Sequence, residues 1–135
     1  MIVAVGIDIV ELLRIKGIWQ RHPERFLYRH FTAEEIRYCR AKADPLPSIA
    51  ARFAAKEAFQ KCWFETHGWQ DVWVEMAGVK PVLHFAEPIA LEMRARSWQA
   101  HLSLTNERNY AAAMVVLEVA PILSRAAFDH ALDWA

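Results

Sequence analysis

Residues Ala51–Cys62, ARFAAKEAFQKC, combine small, aromatic and charged side chains in one short run. On a wheel of 100° per residue, Ala51, Ala54, Ala55, Ala58 and Cys62 fall on one narrow seam. Side chains that small let a helix lie close to whatever it packs against. Glu57 and Lys61 share the edge of that seam at i, i+4, the acid first. Arg52 and Lys56 lie on the other flank beside Phe53 and Trp63, which the wheel leaves off the seam. An i, i+4 Glu–Lys pair is commonly a solvated surface pair contributing only ~0.3–0.5 kcal/mol. To carry chemistry this helix needs a second carboxylate from elsewhere.

The first strand offers one. IVAVGI, residues 2–7, is β-branched and almost wholly apolar, which predicts a buried strand ending at Asp8. Gly6 allows a close approach of backbone or ligand. An acid at the end of a core strand must be paired, used as a cap or bound to a cation. A helix N-cap is the plain alternative, because a helical pattern follows. Periodicity alone leaves these readings open.

Outward from these two segments, the chain alternates helical and extended patterns. LLRIKGIWQRH reads as a helix stopped by Pro23. FTAEEIRYCRAK opens with a capping box, Thr32 to Glu35. A loop with Pro45 and Pro47 precedes a long helix over about 48–65. DVWVEM and PVLHF form a hairpin, PIALEMRARSW a helix, and HLSLT and YAAAMVVLEV a second hairpin across the turn NERN. That order predicts an α+β fold, a mostly antiparallel sheet packed by helices on one side. Residues 1–135 read as a single domain, with a core over about 2–119 and an amphipathic helical extension over about 121–135 bearing Leu123, Ala127, Phe128, Ala131 and Leu132.

Composition narrows the function classes. The 135 residues are 55% hydrophobic and 24% charged, with 16 Lys plus Arg against 16 Asp plus Glu. A chain so balanced has no global field for nucleic acid. The N-terminus lacks the pattern of a signal peptide, and the longest apolar run, AAAMVVL, is too short to span a bilayer. Cys39 and Cys62 show no metal-ligand spacing and suit reduced core thiols of a cytoplasmic protein. His22, His30, His67, His84, His101 and His130 show no ligand spacing either. The local exception in charge is the run from Leu12 to Phe31, where Arg14, Lys16, Arg21, Arg25 and Arg29 face only Glu24. A solvated helix face is the ordinary reading of such arginines.

Three segments, GIDIVELLRI, ARFAAKEAFQK and LSLTNERNYAAAMVV, in that order and spacing, together resemble the holo-(acyl-carrier-protein) synthases, a class of 4′-phosphopantetheinyl transferase. The middle motif is long and specific; the other two are weaker alone. The resemblance implies transfer of the phosphopantetheine arm of coenzyme A to a serine of apo acyl carrier protein, with Mg²⁺, leaving adenosine 3′,5′-bisphosphate. It assigns Asp8 and Glu57 as metal carboxylates, Glu57 or a metal-bound water that it orients as the base, and Lys61 as the group that stabilises the departing phosphate. Arg52, Lys56, Lys61, Ser103, Thr105 and Asn106 are the implied coenzyme A contacts. Arg14, Arg21 and Arg25, with Trp19 and Phe26 as apolar anchors, are the implied docking surface for the carrier protein. A homotrimer with sites between subunits is implied as well, and the many tryptophans and an outward Phe53 agree with buried subunit contacts.

The chain departs from this family in two places. CWFETHGW follows Lys61 where the family has a small Ala-Leu-Gly-Thr-Gly turn, and Asn106 stands where the family often has histidine. An amide donates a hydrogen bond to phosphate but carries no charge. A carrier-binding module with weak catalysis is the competing reading, and a purely structural oligomer, whose Glu57–Lys61 is only a surface pair, is a third.

Overall fold

The computed structural model describes residues 1–121, so the expected C-terminal helix lies outside the described residues. Strand β1 (Ile2–Glu11) leads into helices α1 (Leu12–Arg21), α2 (Pro23–His30), α3 (Ala33–Arg40) and α4 (Leu46–Gln60). A hairpin of β2 (Val72–Ala77) and β3 (Lys80–Phe85) follows, then α5 (Ile89–Arg96) and the hairpin of β4 (Trp98–Asn106) and β5 (Tyr110–Val119). The three long strands form an antiparallel sheet in the order β1–β5–β4, and β2–β3 stand as a separate pair.

Local chemistry accounts for most boundaries. Pro23 both stops α1 and starts α2, where its fixed φ and missing N–H suit the first helical position. Helix α2 is therefore an element beyond those expected from the sequence pattern, in which Pro23 only ends a helix. The capping box holds: Glu35 N donates to Thr32 Oγ1 at 3.3 Å and Thr32 N to Glu35 Oε1 at 3.1 Å. Gly78 turns the β2–β3 hairpin at φ 65°, a conformation that side-chain-bearing residues rarely adopt. Helix α4 starts two residues earlier and stops five residues sooner than the pattern suggested.

The alanine seam does what its geometry promised. Ala50, Ala51, Ala54, Ala55 and Ala58 are all buried, and α4 lies across β1 and β5. The approach is closest at Gly6, where a Cβ would run into the Ala58 carbonyl oxygen and come within 2.8 Å of Cys62 Sγ. Val10, Ala111, Ala113, Val115 and Leu117 complete the covered face of the sheet.

Strand β1 corrects one expectation. It runs three residues past Asp8, and only its even positions face α4. Val5, Ile7 and Ile9 on the other face are 55%, 64% and 64% exposed, beside Met114 at 43% on β5. Phe53 is a second correction: it is buried, stacked on Trp69 at 5.1 Å and near His30 and Phe26. Helix α4 is enclosed on nearly every side, so a one-sided wheel misplaced its flanks. Trp63 is buried as well, and Trp19, Trp69 and Trp98 pack against the same core.

Candidate active site

Asp8 is not a helix cap. The residue before α1 is Glu11, which makes no side-chain cap, and Asp8 points from mid-strand toward α4. There it meets Lys61, 53 residues further along the chain. Lys61 Nζ donates to Asp8 Oδ1 at 3.2 Å and to the Ile7 carbonyl at 2.7 Å. The Gly6–Ala58 approach makes this possible, because it sets the last turn of α4 directly over Gly6–Asp8. The Asp8 side chain is 17% exposed and that of Lys61 53%, so the pair is open to solvent on the lysine side. An ammonium has three donors; two are used here and one remains.

Glu57, one helical turn before Lys61, is half-buried and lines a hollow of about 150 Å³ with Lys56, Gln60, His67 and Trp69. Lys61 thus pairs with a carboxylate from β1, Asp8, while Glu57 lies one helical turn before it on α4. Among the described residues no group of three or more His, Cys, Asp or Glu is placed to hold a metal. An ion such as Mg²⁺ takes one or two protein carboxylates and fills its shell with water and substrate phosphate oxygens.

The remaining coenzyme A residues divide. Arg52 and Lys56 are turned inward, against expectation. Arg52 is 3% exposed, its guanidinium 4.4 Å above the Tyr38 ring and its Nη1 3.4 Å from the Ser48 carbonyl. Lys56 is 1% exposed and spends its donors on Glu35 Oε1 at 2.7 Å, Val72 O at 2.7 Å and Trp69 O at 2.9 Å. Burial draws its pKa down from the usual lysine value, with Glu35 opposing that shift. Ser103 and Thr105 are exposed on β4, in register with Met114 and Ala112 of β5 and through them with Ile7 and Ile9 of β1. Strand alternation puts them on the open face of the sheet, opposite to Asp8. Within one subunit these two groups cannot meet. Asn106 ends β4. Ser103 also lines a groove of about 450 Å³ between β3 and β4, with Lys80, Pro81 and His101.

On the basic surface, Arg14, Lys16, Arg21, Arg25 and Arg29 are all exposed along α1 and α2. Trp19 is partly buried. Phe26 is not an anchor for a partner: at 2% exposure it is core, 5.8 Å from Phe31. The apolar side chains actually presented there are Leu13, 69% exposed, and Tyr28, 56% exposed. Sequence reasoning missed Leu13, although its place next to a buried Leu12 at a helix start was the available signal. It also missed Glu35 as the partner of Lys56, which only tertiary structure brings together.

Comparison with known proteins now adds to this geometry. The family model described as "4′-phosphopantetheinyl transferase superfamily" matches residues 4–115. A holo-[acyl-carrier-protein] synthase of Thermus thermophilus is 52% identical over 118 residues, covering 87% of this chain and 94% of that protein. One of Deinococcus radiodurans is 51% identical over 126 residues, with the same coverage of 87% and 94%. Among solved structures, the Neisseria meningitidis synthase superposes with a TM-score of 0.79 at 27% identity, covering 87% of this chain and 99% of that one. A Bacillus anthracis synthase in complex with CoA (3′,5′-ADP) gives a TM-score of 0.73 at 30% identity, with 89% and 99% covered.

Proposed function

The chain belongs to the 4′-phosphopantetheinyl transferase superfamily, and on that premise we propose that it is a holo-(acyl-carrier-protein) synthase, moving the phosphopantetheine group of coenzyme A onto a serine of apo acyl carrier protein. The observation that carries this reading is the meeting of Asp8 with Lys61, from segments 53 residues apart in sequence, with Glu57 one helical turn before that lysine.

The residues divide the work. The serine oxygen forms a bond to the β-phosphorus of coenzyme A while the bond from that phosphorus to the bridging oxygen breaks, and adenosine 3′,5′-bisphosphate leaves. Glu57, at the mouth of the hollow, takes the serine proton. Lys61, with one N–H still to give, meets the charge that grows on the departing phosphate. Asp8 holds Lys61 in place and, with Glu57, would hold Mg²⁺. When bound, that ion neutralises phosphate charge and lowers the barrier to attack.

The two faces of the sheet support an assembly of subunits. Ser103 and Thr105 share their face with exposed Val5, Ile7, Ile9 and Met114. A contiguous apolar face of that kind favours contact with another protein surface. A homotrimer joined through it would bring β4 of one subunit toward Asp8 and Lys61 of the next, completing a coenzyme A site that a single subunit leaves divided. Arg14, Arg21 and Arg25 then face outward to receive an acidic carrier. No described helix is long and apolar enough to cross a membrane, and the free thiols Cys39 and Cys62 support a cytoplasmic location.

The test is release of adenosine 3′,5′-bisphosphate from coenzyme A and Mg²⁺ with and without apo carrier protein. Release that depends on the carrier supports transfer. Carrier binding without release would favour the non-catalytic module.

A further inference from the structure

Lys56 has no charge to spare for a phosphate, and its bonds point to another task. It and Glu35 are the buried ion pair of the described chain, with side-chain exposures of 1% and 0%. Three ammonium donors meet three acceptors: Glu35 Oε1, Trp69 O and Val72 O. The second carboxylate oxygen, Glu35 Oε2, accepts the Val74 N–H at 3.1 Å, and Oε1 also accepts the Thr32 N–H at 3.1 Å. These bonds knit the start of α3, the middle of α4, the 3-10 turn Trp69–Asp71 and the first residues of β2.

A buried pair of this kind commonly stabilises a fold no better than apolar side chains of the same shape. What it supplies is direction. Lys56 immediately precedes Glu57, and 100° of helical rotation separates them. Pinning Lys56 toward Trp69 and Val72 therefore fixes the roll of α4 at the turn that carries Glu57. The same bonds fix one wall. Trp69, held by its carbonyl to Lys56, lines the same 150 Å³ hollow as Glu57 and Gln60. That volume equals roughly five waters, so a small displacement of the wall changes what fits beside Glu57. The chain between α4 and Trp69 is the segment in which this protein departs from the small glycine turn of its family.

We infer that the Lys56–Glu35 pair positions Glu57 for transfer, by fixing the roll of α4 and the distance of the Trp69 wall from it. The inference rests on the assignment of Glu57 under the proposed function. Both residues act through Glu57 and touch no reacting atom.

The experiment compares wild type, E35Q and the double variant E35Q/K56M at a temperature where circular dichroism shows all three folded. E35Q leaves the lysine amine its two carbonyl tethers, whereas the double variant is neutral and loses both. The double variant is expected to lower kcat about tenfold or more, since misplacement by ~1 Å can cost on the order of 10²-fold. KM for coenzyme A and for the carrier should stay within about threefold, and E35Q should fall in between. A fluorine NMR signal from 5-fluorotryptophan at Trp69, assigned with W69F, should move in the double variant and less in E35Q. A folded double variant with wild-type kcat, an unmoved Trp69 signal, or E35Q impaired as far as the double variant each overturns the inference. Should the double variant not fold, W69L takes its place. It removes the wall but keeps the backbone tether, so an unchanged kcat would overturn the inference as well. Failure of the wild type to transfer at all would refute the proposed function instead, and the fluorine signal would still report whether the tethers hold the wall.

Discussion

Lys56 and Lys61 stand five positions apart on or at the end of one helix, and each faces a carboxylate from a distant segment. Their pairs differ in kind. Lys56 and Glu35 meet at 2.7 Å with side chains 1% and 0% exposed, every ammonium donor used. Lys61 and Asp8 meet at 3.2 Å with side chains 53% and 17% exposed, one donor still free. The first pair cannot release its charge without leaving a buried partner stranded. The second can exchange Asp8 for a phosphate at little cost, because water already screens it. In a chain whose motif contains both lysines, exposure and spare donors separate the lysine proposed to meet substrate from the one held in the frame.

The comparison breaks first at Glu57, which sits between the two lysines. Glu57→Ala should lower kcat by about 10²–10⁴-fold, the usual worth of a positioned base, with little change in stability. Steady-state transfer assays set beside a urea melt would decide it, and near-normal turnover would remove Glu57 from the chemistry. Asp8→Ala should show the same loss at moderate Mg²⁺.

The lysines themselves should then separate in opposite senses. Lys56→Met strands a buried carboxylate and should cost roughly 3–5 kcal/mol of stability. Lys61→Met should cost under about 1 kcal/mol, as for other exposed pairs, yet lower kcat by about 10²–10³-fold. Chemical denaturation and kinetics on both variants supply the four numbers. If both lysines moved stability equally, the distinction between frame and site would collapse.

Cys39 sharpens the buried side of the comparison. It is fully buried next to Glu35 and Arg52, and burial pushes its thiol up to about 11 from an ordinary value of 9.0. A raised folded-state pKa contributes stability that is complete below pH 9 and lost as pH rises through 11. Unfolding free energy should therefore decline across that window by up to about 2–3 kcal/mol. Cys39→Ala should flatten the decline, and an equally steep slope in the variant would show that other groups cause it.

The smallest effect expected is at the docking surface. Charge reversal at Arg14 and Arg21 should raise the KM for carrier protein by about tenfold and leave coenzyme A binding alone, and in wild type kcat/KM for the carrier should fall with added salt. Unchanged carrier KM in the double reversal would exclude this face.

The sequence made legible what is local or periodic. The alanine seam, the Thr32–Glu35 box and both hairpins could be read from spacing and residue type, whereas the pairing of the first strand with α4 came only with the family resemblance. What escaped was tertiary. Helix α4 is enclosed on nearly all sides, so Arg52, Phe53 and Lys56, outward on a wheel, are inward in the fold. Glu35 was read as a cap residue, but its side chain also reaches Lys56 and Val74. The apolar odd positions of β1 looked like core, because nothing in one sequence tells a buried apolar face from an exposed one. For the same reason Ser103 and Thr105 were grouped with Asp8 by motif, although alternation sets them on opposite sides of one sheet.

The most direct measurement is the intact mass of an apo acyl carrier protein after incubation with coenzyme A, Mg²⁺ and either the wild-type protein or its Glu57→Ala variant. The account predicts a gain of one phosphopantetheine group with wild type and almost none with the variant in the same time. A carrier of unchanged mass with wild type, or an equal gain with both, would contradict it.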